Sequence, residues 1–208
     1  MDLVVVIVGI SIAFQVDKWD TARRERNFHQ ILARDLLAEL RLNIADFEEV
    51  LPALEQTQAR MEAIQETYKS DNPRAQTNEL IKSVSTLTFI EYPSLKTAQL
   101  DNYLSSTVGY AYDVKPLLLS LNSKMEEFKF LQQYNIEIRL QKLPDKLSGS
   151  IDYVNKKLID PEPLFAVQFK NFFMLMYTAD KEWIRSYHDL LMALKESEIA
   201  ISKLVDEQ

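Results

Sequence analysis

Cysteine is absent from this chain, which excludes disulfides, thiolate nucleophiles and cysteine-based zinc sites. Glycine is nearly absent too, occurring only as Gly9, Gly109 and Gly149. Phosphate-cradling loops and dinucleotide fingerprints need several glycines at fixed spacing, so neither is available. The same shortage argues against a succession of tight hairpins, and hence against an all-β fold. Histidine occurs only as His29 and His188, and neither has a glutamate three positions before it, so the paired Glu-x-x-His motifs of a di-iron bundle are missing. A basic excess is missing as well. Asp and Glu outnumber Lys and Arg by 31 to 24, a net charge of −7, which argues against nucleic acid as the main partner. No catalytic set, metal site or cofactor is expected from these residues.

What the chain does have is an oily leading stretch. Residues 3–16 carry no charge and run Leu3, Val4, Val5, Val6, Ile7, Val8, Gly9, Ile10, Ser11, Ile12, Ala13, Phe14, Gln15 and Val16. Trp19 follows, amid Lys18, Arg23, Arg24 and Arg26. As a helix, these 14 residues rise about 21 Å, short of the roughly 30 Å hydrocarbon core of a bilayer. Met1, an interfacial Trp19, bilayer thinning or residues upstream of this numbering would supply the remainder.

Three readings compete. A cleaved signal peptide wants a positive leading region, which Met1-Asp2 does not offer, although Ser11-Ile12-Ala13 resembles a small-x-small cleavage site. A buried core helix suits the length. A retained membrane anchor over residues 1–19 accounts best for Trp19 and the basic flank, leaving 20–208 as a helical domain. Gly9 and Ala13 form a small-xxx-small pair that suits close approach of two anchor helices.

Beyond the anchor, prolines punctuate long periodic segments. A first helix continues to about Tyr68, with Leu40, Ile44, Phe47, Leu51, Leu54, Met61 and Ile64 at alternating steps of three and four and Gln58 in one slot. Phe28, Leu32 and Leu36 extend this stripe upstream, and Pro52 is expected to kink it. Asn78 to Val84 suits a short helix, Leu87 to Ile90 an extended connector, and Ser94 a cap for a helix to about Leu104. Asp113 and Pro116 mark another start, with Val114, Leu118, Leu121, Met125, Phe128 and Leu131 inward. Leu143 to Leu158 reads as a turn and a short helix. The last helix, from near Leu164 to Val205, carries the seam Phe169, Phe173, Met176, Trp183, Tyr187, Leu190, Leu194, Ile201 and Leu204.

Three long seams need one another to leave water. The expected fold is all-α: an N-terminal transmembrane helix continuing into an antiparallel bundle of long coiled-coil-like helices, with short helices at one end. Some two dozen seam residues at roughly 1.5–3 kcal/mol each supply an adequate core.

Two features stand out. Asp180 interrupts the aromatic seam of the last helix, either as a carboxylate poised for proton transfer or cation binding, or as a register-setting residue paired with a neighbouring helix. The second reading is favoured, because no second catalytic group accompanies it. Phe165, Phe169, Phe172, Phe173, Met174, Met176 and Tyr177 make an apolar patch wider than one seam needs. It suits burial of the short helices, a docked partner or a hydrophobic ligand.

The pattern Val5-x-x-Val8-Gly9-Ile10, then Ala13-x-Gln15-Val16-x-x-Trp19 and a charged helix, resembles an uncharacterised bacterial family of single-pass membrane-anchored helical proteins. Thr88-Phe89, Leu100 and Leu104-Ser105-Ser106 are similar to that family's middle segment. The resemblance implies a bacterial inner-membrane anchor and a helical domain, and no activity. Members often carry a basic leader ahead of the anchor, which this sequence does not show. The flank Lys18, Arg23, Arg24 and Arg26 places the large domain on the cytoplasmic side, and a basic leader would reverse that.

The function expected is a non-enzymatic, membrane-tethered helical subunit whose partners are the bilayer and either its own copies or the subunits of a larger membrane complex. The alternative is a membrane-anchored sensory or ligand-binding bundle.

Overall fold

The computed structural model describes residues 2–88, 90–106, 114–152 and 157–206, with only the backbone for 2–11 and 157. Among them the chain is all-α apart from one small hairpin. α1 spans Asp2–Lys69, and a 3-10 turn at Pro73–Gln76 leads into α2, Thr77–Thr86. α3 is Ala98–Ser105 and α4 is Lys115–Ile136. A π-helical turn, Glu137–Lys142, joins α4 to α5, Leu143–Leu147. β1 (Ile151–Asp152) pairs antiparallel with β2 (Lys157–Leu158), Ile151 opposite Leu158. α6 (Glu162–Phe165) precedes α7 (Val167–Asp206).

The helix boundaries follow local chemistry. α1 runs through Pro52 without a break. It stops at Lys69, ahead of Asp71-Asn72-Pro73, because the residue before a proline is pushed out of helical geometry. α6 and α7 are separate because Ala166 adopts an extended ψ of 144°. Two local expectations are corrected. Ser94 does not cap α3, which begins after Thr97 with no side-chain cap of its own. The stretch from Leu143 to Leu158 contains the β1–β2 hairpin as well as a short helix. Asp113 and Phe89 lie outside the described residues.

The chain gathers into two compact units. The first comprises residues 1–43, 96–122 and 194–208, and the second comprises 44–95 and 123–193. In the second, a core of Met61, Ile64, Leu80, Val84, Ile138 and Leu143 closes around Phe169, Phe173 and Met176 of α7. Phe47, Phe128, Trp183 and Tyr187 form an aromatic cluster there, with ring centroids 4.6 to 6.3 Å apart.

The α7 seam is buried as its spacing predicts, from Phe169 through Trp183, Tyr187, Leu190 and Leu194 to Ile201, with Asp180 and Ser197 filling the intervening slots. On α1 the expected seam holds at Leu40, Phe47, Leu54, Met61 and Ile64 and slips by one residue at the three slots between them. The interior positions of α1 are Leu36, Leu40, Asn43, Phe47, Val50, Leu54, Thr57, Met61 and Ile64, an unbroken alternation of four and three. Ile44, Leu51 and Gln58 are only half-buried, and Phe28 is exposed. Selecting apolar residues alone passed over Asn43 and Thr57. Thr57 is accommodated because its hydroxyl donates to the Ala53 carbonyl at 2.9 Å. On α4 the expected seam is buried from Leu118 to Phe128; Leu131 is half-buried, and the next inward slot is taken by Asn135.

No helix among the described residues is long and apolar enough to cross a membrane. The expected transmembrane helix thus lacks support, and the reason is its length. Asp17 and Lys18 close the uncharged run after 14 residues.

Candidate functional site

Two places carry chemistry that the fold does not fully absorb. The first is a buried polar network in the second unit. The π-helical turn after α4 holds an extra residue, so Ile138 and Arg139 both point inward. Arg139 is wholly buried, and each of its guanidinium nitrogens has a partner. Nε donates to Asn135 Oδ1 at 2.9 Å, Nη1 to the Leu87 carbonyl at 3.0 Å and Nη2 to Asp180 Oδ1. The Met61 sulfur lies 3.2 Å from Nη2. Leu87 is the C-cap of α2, so Arg139 also sets a positive charge on carbonyls that a helix end leaves unpaired.

Asn135 joins the pieces. Its Nδ2 donates to Asp180 Oδ1 at 3.2 Å, and its Oδ1 also accepts the Tyr92 hydroxyl at 3.0 Å. Tyr92 packs on Trp183 with centroids 5.3 Å apart. Burial pushes the Tyr92 hydroxyl up to about 12, the nearby Asp180 charge adding to that and Arg139 opposing it. Gln132 and Asn135 of α4, with Arg139 of the π turn, thus fasten the connector that follows α2 at Leu87, Tyr92 and Pro93. Gln132 does so by donating to the Pro93 carbonyl at 3.4 Å.

Asp180 is 1% exposed. Among the described residues its second oxygen, Oδ2, has no hydrogen-bond partner, and neither does Trp183 Nε1 three residues on. A carboxylate sealed from solvent and spent on a guanidinium has no route for exchanging protons with a substrate. This geometry matches the register-setting role. Removing either charge strands the other in a dry interior.

The first unit has its own buried polar pair on α1. Asn43 donates through Nδ2 to the Lys96 carbonyl at 2.7 Å and accepts from the Lys96 amide at 2.9 Å, copying a backbone pairing. Glu39, one turn earlier, accepts the Gln99 and Leu100 amides at 2.9 and 3.0 Å. α3 is therefore capped by a residue about sixty positions away. Composition and spacing singled out neither residue. The only signal available was that both fall on the inward phase of α1.

The second place is the leading part of α1. Ile12, Phe14, Val16 and Trp19 are 60%, 57%, 58% and 64% exposed. Ile12, Val16 and Trp19 share one helix face and Phe14 lies on the opposite one, and every residue from 12 to 19 is exposed, so no face of these turns is covered by the rest of the described chain. Lys18 lies over the Phe14 ring at 4.5 Å, and the Arg23 guanidinium is 5.6 Å from Trp19. Arg24 pairs with Asp20 at 2.6 Å. Ala13 is exposed, and the side chains of Leu3, Val4, Val5, Val6, Ile7, Val8 and Ile10 lie outside the described residues. Gly9 lies in the same helical run, one turn before Ala13.

The last-helix aromatic patch is mostly interior. Phe169, Phe173 and Met176 are core, while Phe165, Phe172 and Tyr177 are partly buried against it. A groove on the same unit, about 260 Å³, is lined by Lys124, Glu127, Glu182, Arg185 and Asp189 rather than by these rings. His188 is exposed beside Tyr187. Among the described residues no group of three or more His, Asp or Glu is placed to hold a metal ion.

Compared with protein families, curated proteins and solved structures, the chain matches none.

Proposed function

We propose that this protein is a non-enzymatic helical subunit held at a lipid surface by the leading turns of α1, its two units serving as a scaffold for assembly with itself or with a membrane complex. The observation that carries the reading is the exposure of Ile12, Val16 and Trp19 on one face and of Phe14 on the opposite one. A helix that is apolar all round is stable in a protein core or in lipid, and no other segment of the described chain covers this one.

The uncharged run of residues 3–16 enters the hydrocarbon to a depth of about 21 Å, and Trp19 sits at headgroup level. Lys18, Arg23, Arg24 and Arg26 then face the phosphates, which favours the anionic cytoplasmic leaflet of a bacterial membrane. The resemblance of the leading residues to a membrane-anchored family agrees with this. The scaffold role draws support from the interior, where Arg139, Asp180, Glu39 and Asn43 are all committed to holding elements together.

Flotation with phospholipid vesicles tests the tether. The full chain is expected to rise with the vesicles, and a variant carrying Ile12→Glu, Phe14→Glu and Val16→Glu to stay behind with its helicity unchanged. Wild-type protein remaining in the aqueous fraction would overturn the reading.

A further inference from the structure

We infer that an anionic phospholipid headgroup binds one side of α1, through Arg23 and Arg26, a proposal that deepens the lipid-tether reading and rests on it for bringing that side to the bilayer. At about 100° per residue, Ile12, Val16, Trp19, Arg23 and Arg26 follow steps of four, three, four and three and form one stripe along the unbroken helix. All of them are exposed. The stripe passes from aliphatic side chains through an indole to two guanidiniums. A membrane passes in the same order from hydrocarbon through interface to phosphate.

Charge is distributed unevenly around these turns. Asp17, Asp20 and Glu25 all lie about 80° or more from the middle of the stripe, so no carboxylate shares it. The other two cations are turned elsewhere. Arg24 pairs with Asp20 at 2.6 Å, and Lys18 lies over the Phe14 ring on the far side. Arg23 keeps its guanidinium 5.6 Å from Trp19, on the stripe itself. Among the described residues neither Arg23 nor Arg26 makes an ion pair. Over residues 17–26 the four Lys and Arg exceed the three Asp and Glu by one, too small an excess to select an anionic surface by net charge. The segregation of two unpaired arginines onto the side of Trp19 is what selects it, and guanidinium forks match phosphate oxygens in geometry as well as charge.

The spacing also says how the helix meets the surface. With Trp19 at headgroup level, Arg23 lies about 6 Å and Arg26 about 10 Å further along the axis. The polar layer of one leaflet is about 5–8 Å deep, so Arg26 clears it on an upright helix and returns to it when α1 leans toward the stripe. Leaning that way turns Asp17 and Glu25 away from the phosphates and leaves Asp20 to Arg24.

Two double variants of the full chain that remove the same net charge test the assignment. Arg23→Gln with Arg26→Gln empties the stripe, and Lys18→Gln with Arg24→Gln leaves it intact. The unaltered chain is expected to bind vesicles containing phosphatidylglycerol about 30-fold more tightly than vesicles of phosphatidylcholine alone. The first double variant is expected to lose most of that preference and the second to keep it, while both still float on phosphatidylcholine. Equal losses from the two overturn the stripe in favour of net charge. Unaltered protein that floats equally on both vesicles overturns the headgroup site and leaves the tether standing, and protein that floats on neither overturns both. Saturable binding of inorganic phosphate without vesicles, lost in the first double variant, assigns the arginines to a free anion and overturns the lipid proposal.

Discussion

Arg139 and Asp180 face each other across the second unit with neither touching solvent, side-chain exposures of 0% and 1%. They come from different helices, 41 positions apart, and the arginine reaches its place only because the helix widens into a π turn there. A buried pair of this kind stabilises little by itself, since desolvation offsets most of the attraction. Its effect is specificity: with Asn135 and the Leu87 carbonyl, it permits one register of α4 against α7.

The first prediction concerns that pair. Asp180→Leu is expected to lower stability by about 3–5 kcal/mol, because it leaves an unpaired guanidinium in the interior. The double variant Arg139→Met with Asp180→Leu is expected to recover most of the loss. Denaturant unfolding of both singles and the double gives the coupling directly, and additive losses would show that the two groups act independently.

Glu39 offers a second test, since it caps α3 from another helix. Glu39→Ala strands the Gln99 and Leu100 amides and is expected to cost about 1–3 kcal/mol. Glu39→Gln keeps one acceptor and should fall between. Hydrogen exchange at these two amides should speed up in the alanine variant well before the protein unfolds globally. Unchanged exchange there would mean that the cap does not hold the helix.

The aromatic patch yields a third. Phe173 is fully buried and Phe172, next to it, is half-buried. Phe173→Ala is expected to cost about 3–5 kcal/mol through the cavity it leaves, and Phe172→Ala far less. Equal losses from the two substitutions, measured by thermal unfolding, would contradict the division of these rings into core and rim.

The fourth follows from Tyr92, whose hydroxyl rises from 10.0 to about 12 on burial. A raised folded value means that the native state keeps its proton while the unfolded chain releases one. The associated stability is fully present below pH 10.0, and it is lost as pH climbs towards about 12. Tyr92→Phe removes this group, so its stability should fall less steeply over that interval, as followed by circular dichroism along an alkaline titration. An identical slope in the variant would remove Tyr92 from the account.

The seam of α7 was legible from spacing because every slot but Asp180 and Ser197 from Phe169 to Ile201 holds a bulky apolar residue. On α1 the same reasoning found Leu40, Phe47, Leu54, Met61 and Ile64 but slipped by one residue at the three slots between them, and on α4 it held from Leu118 to Phe128; Asn43, Thr57 and Asn135 are the polar residues it missed. A polar residue takes an inward slot wherever a partner waits there, and an apolar count skips it in favour of the nearest leucine. Ile44 was chosen on that basis and lies at the margin, as do Leu51, beside the buried Val50, and Leu131. Asp180 was visible as an oddity inside its seam, but Arg139 was not, because the π turn that brings it inside shifts the helical phase.

The amino-acid order alone determined the helical class, the inward side of α7 and the uncharged character of residues 3–16. These are properties of neighbours within a turn or two, where helix geometry ties spacing to direction. The identities of the buried polar residues were decided only by the tertiary structure. Asn43 is tolerable inside because Lys96, 53 positions on, presents its carbonyl and amide to it, and Arg139 because Leu87, 52 positions back, ends a helix beside it. A polar group leaves water only when its partner is already in place, and that partner is a fact of the fold.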